Sequence, residues 1–191
     1  MSSDEVSYLR SAIENSRRYL EFGSGFSTKI ALENSNRVIY SIETSEEYIR
    51  KLREELAASG ADLSNLNFLH IDIGPTRDWG RPIDESAIER WPRYSQIPWD
   101  RIKEDNFKPD LILVDGRFRV ITFLQAWRNA PGAIVIFDDF NNRPIYHKIL
   151  KVLTPIEVSG RVASFRIPGI LRYRKYFLWK RLLPIFRYDF E

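Results

Sequence analysis

The sequence predicts an α/β fold, a mostly parallel doubly wound sheet covered by helices on both faces. Short aliphatic and β-branched runs alternate with segments of helical periodicity, a glycine-rich turn follows the first such run, and acidic residues stand at the ends of successive runs. A chain of 191 residues, 43% apolar and 29% charged, is long enough to bury a core without disulfides or a structural metal.

Taken in order, Val6, Tyr8, Leu9 and Ile13 space out one amphipathic helix ahead of the first strand. Strands are expected at 19–22, 38–42, 67–71, 111–114 and 133–137, with helices at 27–34, 45–58, 118–128 and 143–153 between and after them. The second of these helices has Thr44 or Ser45 to cap it and Glu46 and Glu47 in a first turn that favours acids. Residues 154–159 and 162–167, joined at Gly160 and Arg161, read as a closing antiparallel hairpin. Residues 1–168 form one expected domain.

Two segments depart from the alternation. Residues 74–109 hold Trp79, Trp91 and Trp99 with Pro75, Pro82, Pro92 and Pro98, and so long a connection is expected to be a lid or wall over a substrate site. Residues 169–191 form a basic, aromatic extension whose charges fall on all sides of a helical wheel, unlike an amphipathic membrane helix.

Cysteine is absent, which removes thiol catalysis, cysteine-ligated metals and disulfide frameworks. No apolar run approaches the ~18–20 residues of a bilayer span, and the first twenty residues lack an apolar signal core, so a cytoplasmic location is expected. The formal charge is +3, but 18 basic residues face 23 acidic ones up to position 140, and 11 face 3 beyond it. Two readings of that asymmetry stand: an anionic surface or partner for the C-terminal part, or a solvated surface. No nucleic-acid motif is evident, and oligomeric state is not encoded legibly.

The string from Tyr19 to Thr28, YLEFGSGFST, runs from strand through a glycine turn into a helix. Gly23 and Gly25 allow close approach of a ligand, and the following helix offers unpaired N–H groups. A dinucleotide fingerprint would need glycine where Thr28 stands, and Glu21 at the strand end repels a pyrophosphate while suiting a ligand with an ammonium group. Glu43 ends the second strand, where an acid can accept from both ribose hydroxyls, and Asp72 ends the third, within reach of an adenine amino group. The alternative is that Glu21 and Glu43 merely cap strands around an empty turn.

At these residues the chain resembles the class I S-adenosylmethionine-dependent methyltransferases, and within them small stand-alone bacterial methyltransferase-like proteins of unknown substrate. Glu21, Gly23, Ser24 and Gly25 match the first motif of that superfamily, with Ser27 where a third glycine is common; Glu43 with Thr44 matches its ribose-binding acid, and Asp72 with Ile73 its adenine contact. The resemblance implies a Rossmann-like doubly wound seven-stranded sheet of order 3-2-1-4-5-7-6 and methyl transfer from S-adenosylmethionine to a small-molecule acceptor, with a hydroxyl foremost.

Asp115, ending the fourth strand, and Asp138 and Asp139, ending the fifth, are expected at one sheet edge, close enough to share a hard cation. This is similar to metal-dependent O-methyltransferases, in which such carboxylates hold magnesium against the substrate hydroxyl; Mg²⁺ on Asp115, Asp138 and Asp139 is therefore expected, with Asp115 and Asp138 catalytic. The lysine often found after the first of these acids is missing, and Gly116, Arg117 and Arg119 follow instead. The other readings are that Asp115 meets the cofactor's amino end and that Asp138 or Asp139 caps the next helix. His147 is a candidate general base, whereas His70 reads as a core or edge residue. Arg117, Arg119 and Arg143 ring the same edge and suit an acidic substrate group. The rival functions are a cofactor-binding module without catalysis, bearing a partner- or membrane-binding tail, and a nicotinamide-dependent oxidoreductase.

Overall fold

The computed structural model describes residues 2–169 and 173–188. Its main sheet has seven strands, β1 (Arg18–Phe22), β2 (Val38–Glu43), β3 (Leu66–His70), β4 (Leu111–Val114), β5 (Ile134–Phe137), β6 (Glu157–Ser159) and β7 (Val162–Arg166), in the spatial order β3-β2-β1-β4-β5-β7-β6. The first five are parallel and β7 and β6 close the sheet antiparallel, the arrangement the resemblance implies. β1 lies between β2 and β4, so the chain reverses its direction of travel across the sheet at the carboxyl end of β1. That switch point is where doubly wound sheets open a crevice for ligands.

Alternation along the strands sorts their side chains onto two faces. Leu20, Phe22, Tyr40, Ile42, Ile112 and Val114 join one apolar core; Tyr19, Ile39, Leu66, Leu111 and Leu113 join the other. The second face is covered by α1 (Ser3–Glu14), α2 (Phe26–Leu32) and α3 (Glu46–Ala58), which contribute Leu9, Ile13, Ile30, Leu52 and Leu56. Ser45 caps α3 by accepting from Tyr48 N at 3.1 Å, as its sequence indicates. α1 begins with a reciprocal capping box, Glu5 N to Ser2 Oγ and Ser2 N to Glu5 Oε2. Glu5 also accepts from Arg161 N at 3.0 Å, which ties α1 to the β6–β7 turn and holds the Glu5 carboxyl below its usual range.

The first face is covered by α4 (Pro92–Glu104), α5 (Arg119–Asn129) and α6 (Tyr173–Phe186). α4 was not expected. It lies within 74–109, and it buries Tyr94, Ser95, Pro98, Trp99 and Ile102 at helical spacing, with Trp91 just before it. Pro92 suits a first turn, but Pro98 inside the helix is the kind of residue that argues against one, and it is accommodated on the buried side. Only the first half of 74–109 stays at the sheet's carboxyl edge, as a small hairpin (Thr76–Arg77 with Arg81–Pro82) and short 3-10 turns.

A second difference lies after β5: Pro144–Lys151 is a 3-10 helix, and no side chain caps it, so neither Asp138 nor Asp139 serves as a helix N-cap there. Beyond residue 168, α6 sends Leu182 and Phe186 into the first core, while Phe177, Ile185 and Tyr188 are exposed. Residues 170–172 and 189–191 of the basic extension lie outside the described residues. Among the described residues, no helix is long and apolar enough to cross a membrane.

Candidate functional site

The glycine turn leaves β1 at Gly23, whose N–H donates to Ile42 O at 2.9 Å and whose φ is +99°. A side chain at Gly23 would meet Gly116 N at 2.8 Å, because the backbone after β4 crosses directly over the turn. Gly116 is equally tight: a Cβ there would collide with the Tyr94 hydroxyl from α4. Two glycines therefore let the ends of β1 and β4 touch. Gly25 is roomier, with the Tyr48 hydroxyl 3.3 Å from where its Cβ would be.

Glu21 lies beneath this turn, fully buried on the α2 side of the sheet. It accepts from Tyr19 Oη at 3.1 Å, Ser27 Oγ at 2.5 Å, Ser41 Oγ at 2.6 Å and Thr28 Oγ1. Burial pushes its carboxyl above the usual range and the four hydroxyls work the other way. Its lone pairs are thus spent on the first turn of α2 and on β2, and any effect on a ligand passes through Ser27 and Thr28. Ser24 shares a 2.6 Å hydrogen bond with Ser41.

Glu43, half-buried at the end of β2, accepts from Ser24 N at 3.3 Å through one oxygen and from Thr44 N at 2.6 Å through the other. Gly80, in the hairpin of 76–82, rests on Thr44 and Glu43. Asp72 is exposed; it accepts from Gly74 N at 2.8 Å and pairs with Arg90 at 3.0 Å, both of which hold its carboxyl low, and Ile73 is buried beside it. His70, on the edge strand, is paired with Thr44 O at 3.1 Å.

Asp115, Asp138 and Asp139 do converge, but on the Arg119 guanidinium. Its Nη2 donates to Asp115 Oδ1 at 2.9 Å, and its Nη1 lies 3.2 Å from Asp139 Oδ2 and 3.4 Å from Asp138 Oδ2. The backbone oxygens of Asp115, Gly116 and Asp138 accept from the same group at 2.8, 3.0 and 2.7 Å. Arg143 and Arg161 complete the cluster on Asp139 at 3.1 and 3.0 Å. Asp139 itself has a left-handed φ of +57°, and Phe118, which opens α5, one of +54°; such strained residues persist where their surroundings over-determine them. Partial burial, with the facing Asp138 and Asp139, pushes the Asp115 carboxyl up to about 7 against the pull of Arg119. The expected magnesium does not fit this set. A buried, fully paired guanidinium fills the place of the cation, and among the described residues no group of acids or histidines is arranged to hold a metal.

His147, the candidate base, has Nε2 paired with Phe140 O at 3.0 Å and its ring packed on Phe140. No hydrogen bond among the described residues joins it to the acidic cluster. Arg119, expected to suit an acidic substrate group, is instead spent on the three aspartates. Gly116 and Tyr94 build the site without a role read for them in the sequence, although 91, 94, 98 and 102 space out one helix face.

No protein-family model and no curated protein matches the sequence. Among solved structures, a methyltransferase-like protein from Silicibacter pomeroyi superposes with a TM-score of 0.85 at 30% identity, covering 99% of this chain and 96% of that one. The chain belongs to that methyltransferase-like family, within the class I fold. Two more distant structures share the fold alone: a putative caffeoyl-CoA O-methyltransferase from Staphylococcus aureus (14% identity, TM-score 0.59, 88% and 85% covered) and an RNA methyltransferase from Salinibacter ruber in complex with S-adenosyl-L-homocysteine (14%, 0.55, 91% and 96%). In this methyltransferase-like chain the half-buried Glu43 and the turn at Ser24 and Gly25 lie on one side of the switch point, with Asp115 at the end of β4 on the other.

Proposed function

We propose that the protein transfers the methyl group of S-adenosylmethionine to a small-molecule acceptor, with a hydroxyl the favoured nucleophile. The observation that carries this reading is the pairing of the Gly23–Gly25 turn with Glu43 on one side and Asp115 on the other, in a chain 30% identical to a methyltransferase-like protein. When bound, the cofactor supplies an electrophilic methyl on its sulfonium. Glu43 accepts from the ribose hydroxyls, and Ser24, Gly25 and Thr44 shape the wall around it. Asp115, whose carboxyl is pushed up to about 7, stands where it meets the ammonium end of the cofactor or accepts the proton that a hydroxyl gives up as its oxygen gains the methyl. Phe22, Tyr94 and Phe118, with ring centroids 5.7 Å apart in successive pairs, form an apolar floor beneath Gly116. Of residues 74–109, expected as a wall or lid over the acceptor site, α4 packs into the first core, and the part left at the crevice is the hairpin of 76–82, with Trp79 86% exposed at its tip. Alignment of acceptor and methyl is the main catalytic contribution of such a site.

Calorimetry with S-adenosylhomocysteine tests this. Wild type should bind it and not NAD, and Glu43→Ala should bind it more weakly by about 1–3 kcal/mol, the cost of removing a paired acceptor. Absence of binding to wild type would overturn the reading. Unchanged affinity in Glu43→Ala would place the ribose elsewhere.

A further inference from the structure

We propose that the acceptor carries an oxyanion, a carboxylate or a phosphate, held by Arg117 with Arg81 as a second cation. The proposal rests on the methyl-transfer reading above and names the substrate class of the same site.

Arginines gather at this edge of the sheet, and most of them are already spent. Arg119 is buried among three aspartates, and Arg143 and Arg161 share Asp139. Arg117 has no ion pair among the described residues, and its Nε is buried without a hydrogen-bond partner. A buried guanidinium N–H left in that state is unfavourable, and a bound oxyanion would relieve it. The nearby aspartates do not supply that relief: their ion pairs run to Arg119, Arg143 and Arg161.

Arg81 is likewise unpaired among the described residues. It stands opposite Arg77 in the hairpin register, two like charges face to face on a two-residue strand pair. Such a pair is unfavourable unless a counter-charge sits beside it.

The backbone fixes where these cations stand. Gly116, next to Arg117, touches Gly23 on the β4 side of the glycine turn, and Gly80, next to Arg81, rests on Thr44 and Glu43 on the β2 side. The two arginines thus flank the crevice from opposite walls. Burial, then the charges of Arg119 and Arg81, lower the pKa of Arg117. A planar guanidinium beside an apolar aromatic floor suits an oxyanion bidentately.

The test uses the full chain saturated with S-adenosylhomocysteine and two probes, benzoate for a carboxylate and phenyl phosphate for a phosphate. At least one should bind wild type, and the stronger of the two identifies the anion. Arg117→Gln should weaken that binding by about tenfold or more, Arg117→Lys by less because a point charge keeps part of it, and Arg81→Gln by about threefold. Affinity for S-adenosylhomocysteine should stay within about twofold of wild type in all three variants, and circular dichroism should confirm that each is folded. The proposal fails if neither probe binds, or if Arg117→Gln binds them as wild type does. It also fails if affinity for S-adenosylhomocysteine itself drops about tenfold in Arg117→Gln, which would assign the oxyanion to the cofactor's own carboxylate. Failure of wild type to bind S-adenosylhomocysteine would instead sink the parent reading.

Discussion

Glu21 and the Asp115, Asp138 and Asp139 group stand at the carboxyl ends of neighbouring strands, and both draw carboxylates out of water. Their surroundings differ in kind. Glu21 is met by four hydroxyls and no cation, so its charge is solvated by dipoles alone and its carboxyl is pushed up. The aspartates are met by a buried guanidinium flanked by two further arginines. The first arrangement fixes the glycine turn to β2. The second is a charge lattice in which removing any central member exposes the rest. Hydroxyl cradles tolerate a change of charge; ion lattices do not.

The largest expected effect follows from breaking the lattice at its centre. Arg119→Ala should lose about 3–5 kcal/mol of stability, read as a drop of roughly 10 °C in Tm, because Asp115 and Asp138 lose their nearest cation and Asp139 keeps only Arg143 and Arg161. In that variant Mn²⁺ should raise Tm while leaving wild type unmoved, since carboxylate and backbone oxygens line the vacated place. A Tm close to that of wild type in Arg119→Ala would show that the lattice is ornamental.

Glu21→Gln sharpens the other side. Its shape is kept and its charge lost, so the expected cost is about 1–2 kcal/mol in urea unfolding at pH 7. The cost should be largest at low pH, fall as pH climbs from the ordinary carboxylate range through the raised folded value, and then level off, because a carboxyl with a raised folded pKa contributes least once it must be charged.

Asp115 belongs to the lattice but faces the crevice, and its titration near 7 makes a pH test direct. Below that point it is protonated and offers an ammonium group no charge; above it the carboxylate is present. Affinity for S-adenosylhomocysteine should therefore rise a few-fold, about threefold, between pH 6 and pH 8, and Asp115→Asn should flatten the profile. A flat wild-type profile would remove Asp115 from the cofactor's amino end.

The smallest effect is expected at the rim. Arg143 is partly exposed where it reaches Asp139, so Arg143→Ala should cost no more than about 1 kcal/mol, and less in high salt. A loss as large as that of Arg119→Ala would mean that the lattice depends on its periphery.

Much of the fold was legible because its signals are local. The runs at 111–114 and at 19–22, the Ser45 cap and the glycine turn each declare themselves within a few residues. α4 is legible in part: its buried positions repeat at helical spacing, but Pro98 inside the segment is a loop signal that competes with them. The 3-10 character of Pro144–Lys151 had no local signature apart from Pro144, since 3-10 and α turns share one pattern over so short a stretch.

By itself the sequence determined the order of strands and helices, the glycine turn and the presence of acids at five strand ends, because alternation, periodicity and capping act between near neighbours in the chain. Only the tertiary structure decided what each acid faces. Glu21 is turned under α2 by the parity of its strand, and Asp115, Asp138 and Asp139 enclose Arg119 because α5 starts where β4 and β5 end. Whether clustered carboxylates call for a metal or are already neutralised depends on which cation can reach them. That is a matter of distances between elements far apart in sequence, and no spacing along the chain encodes it.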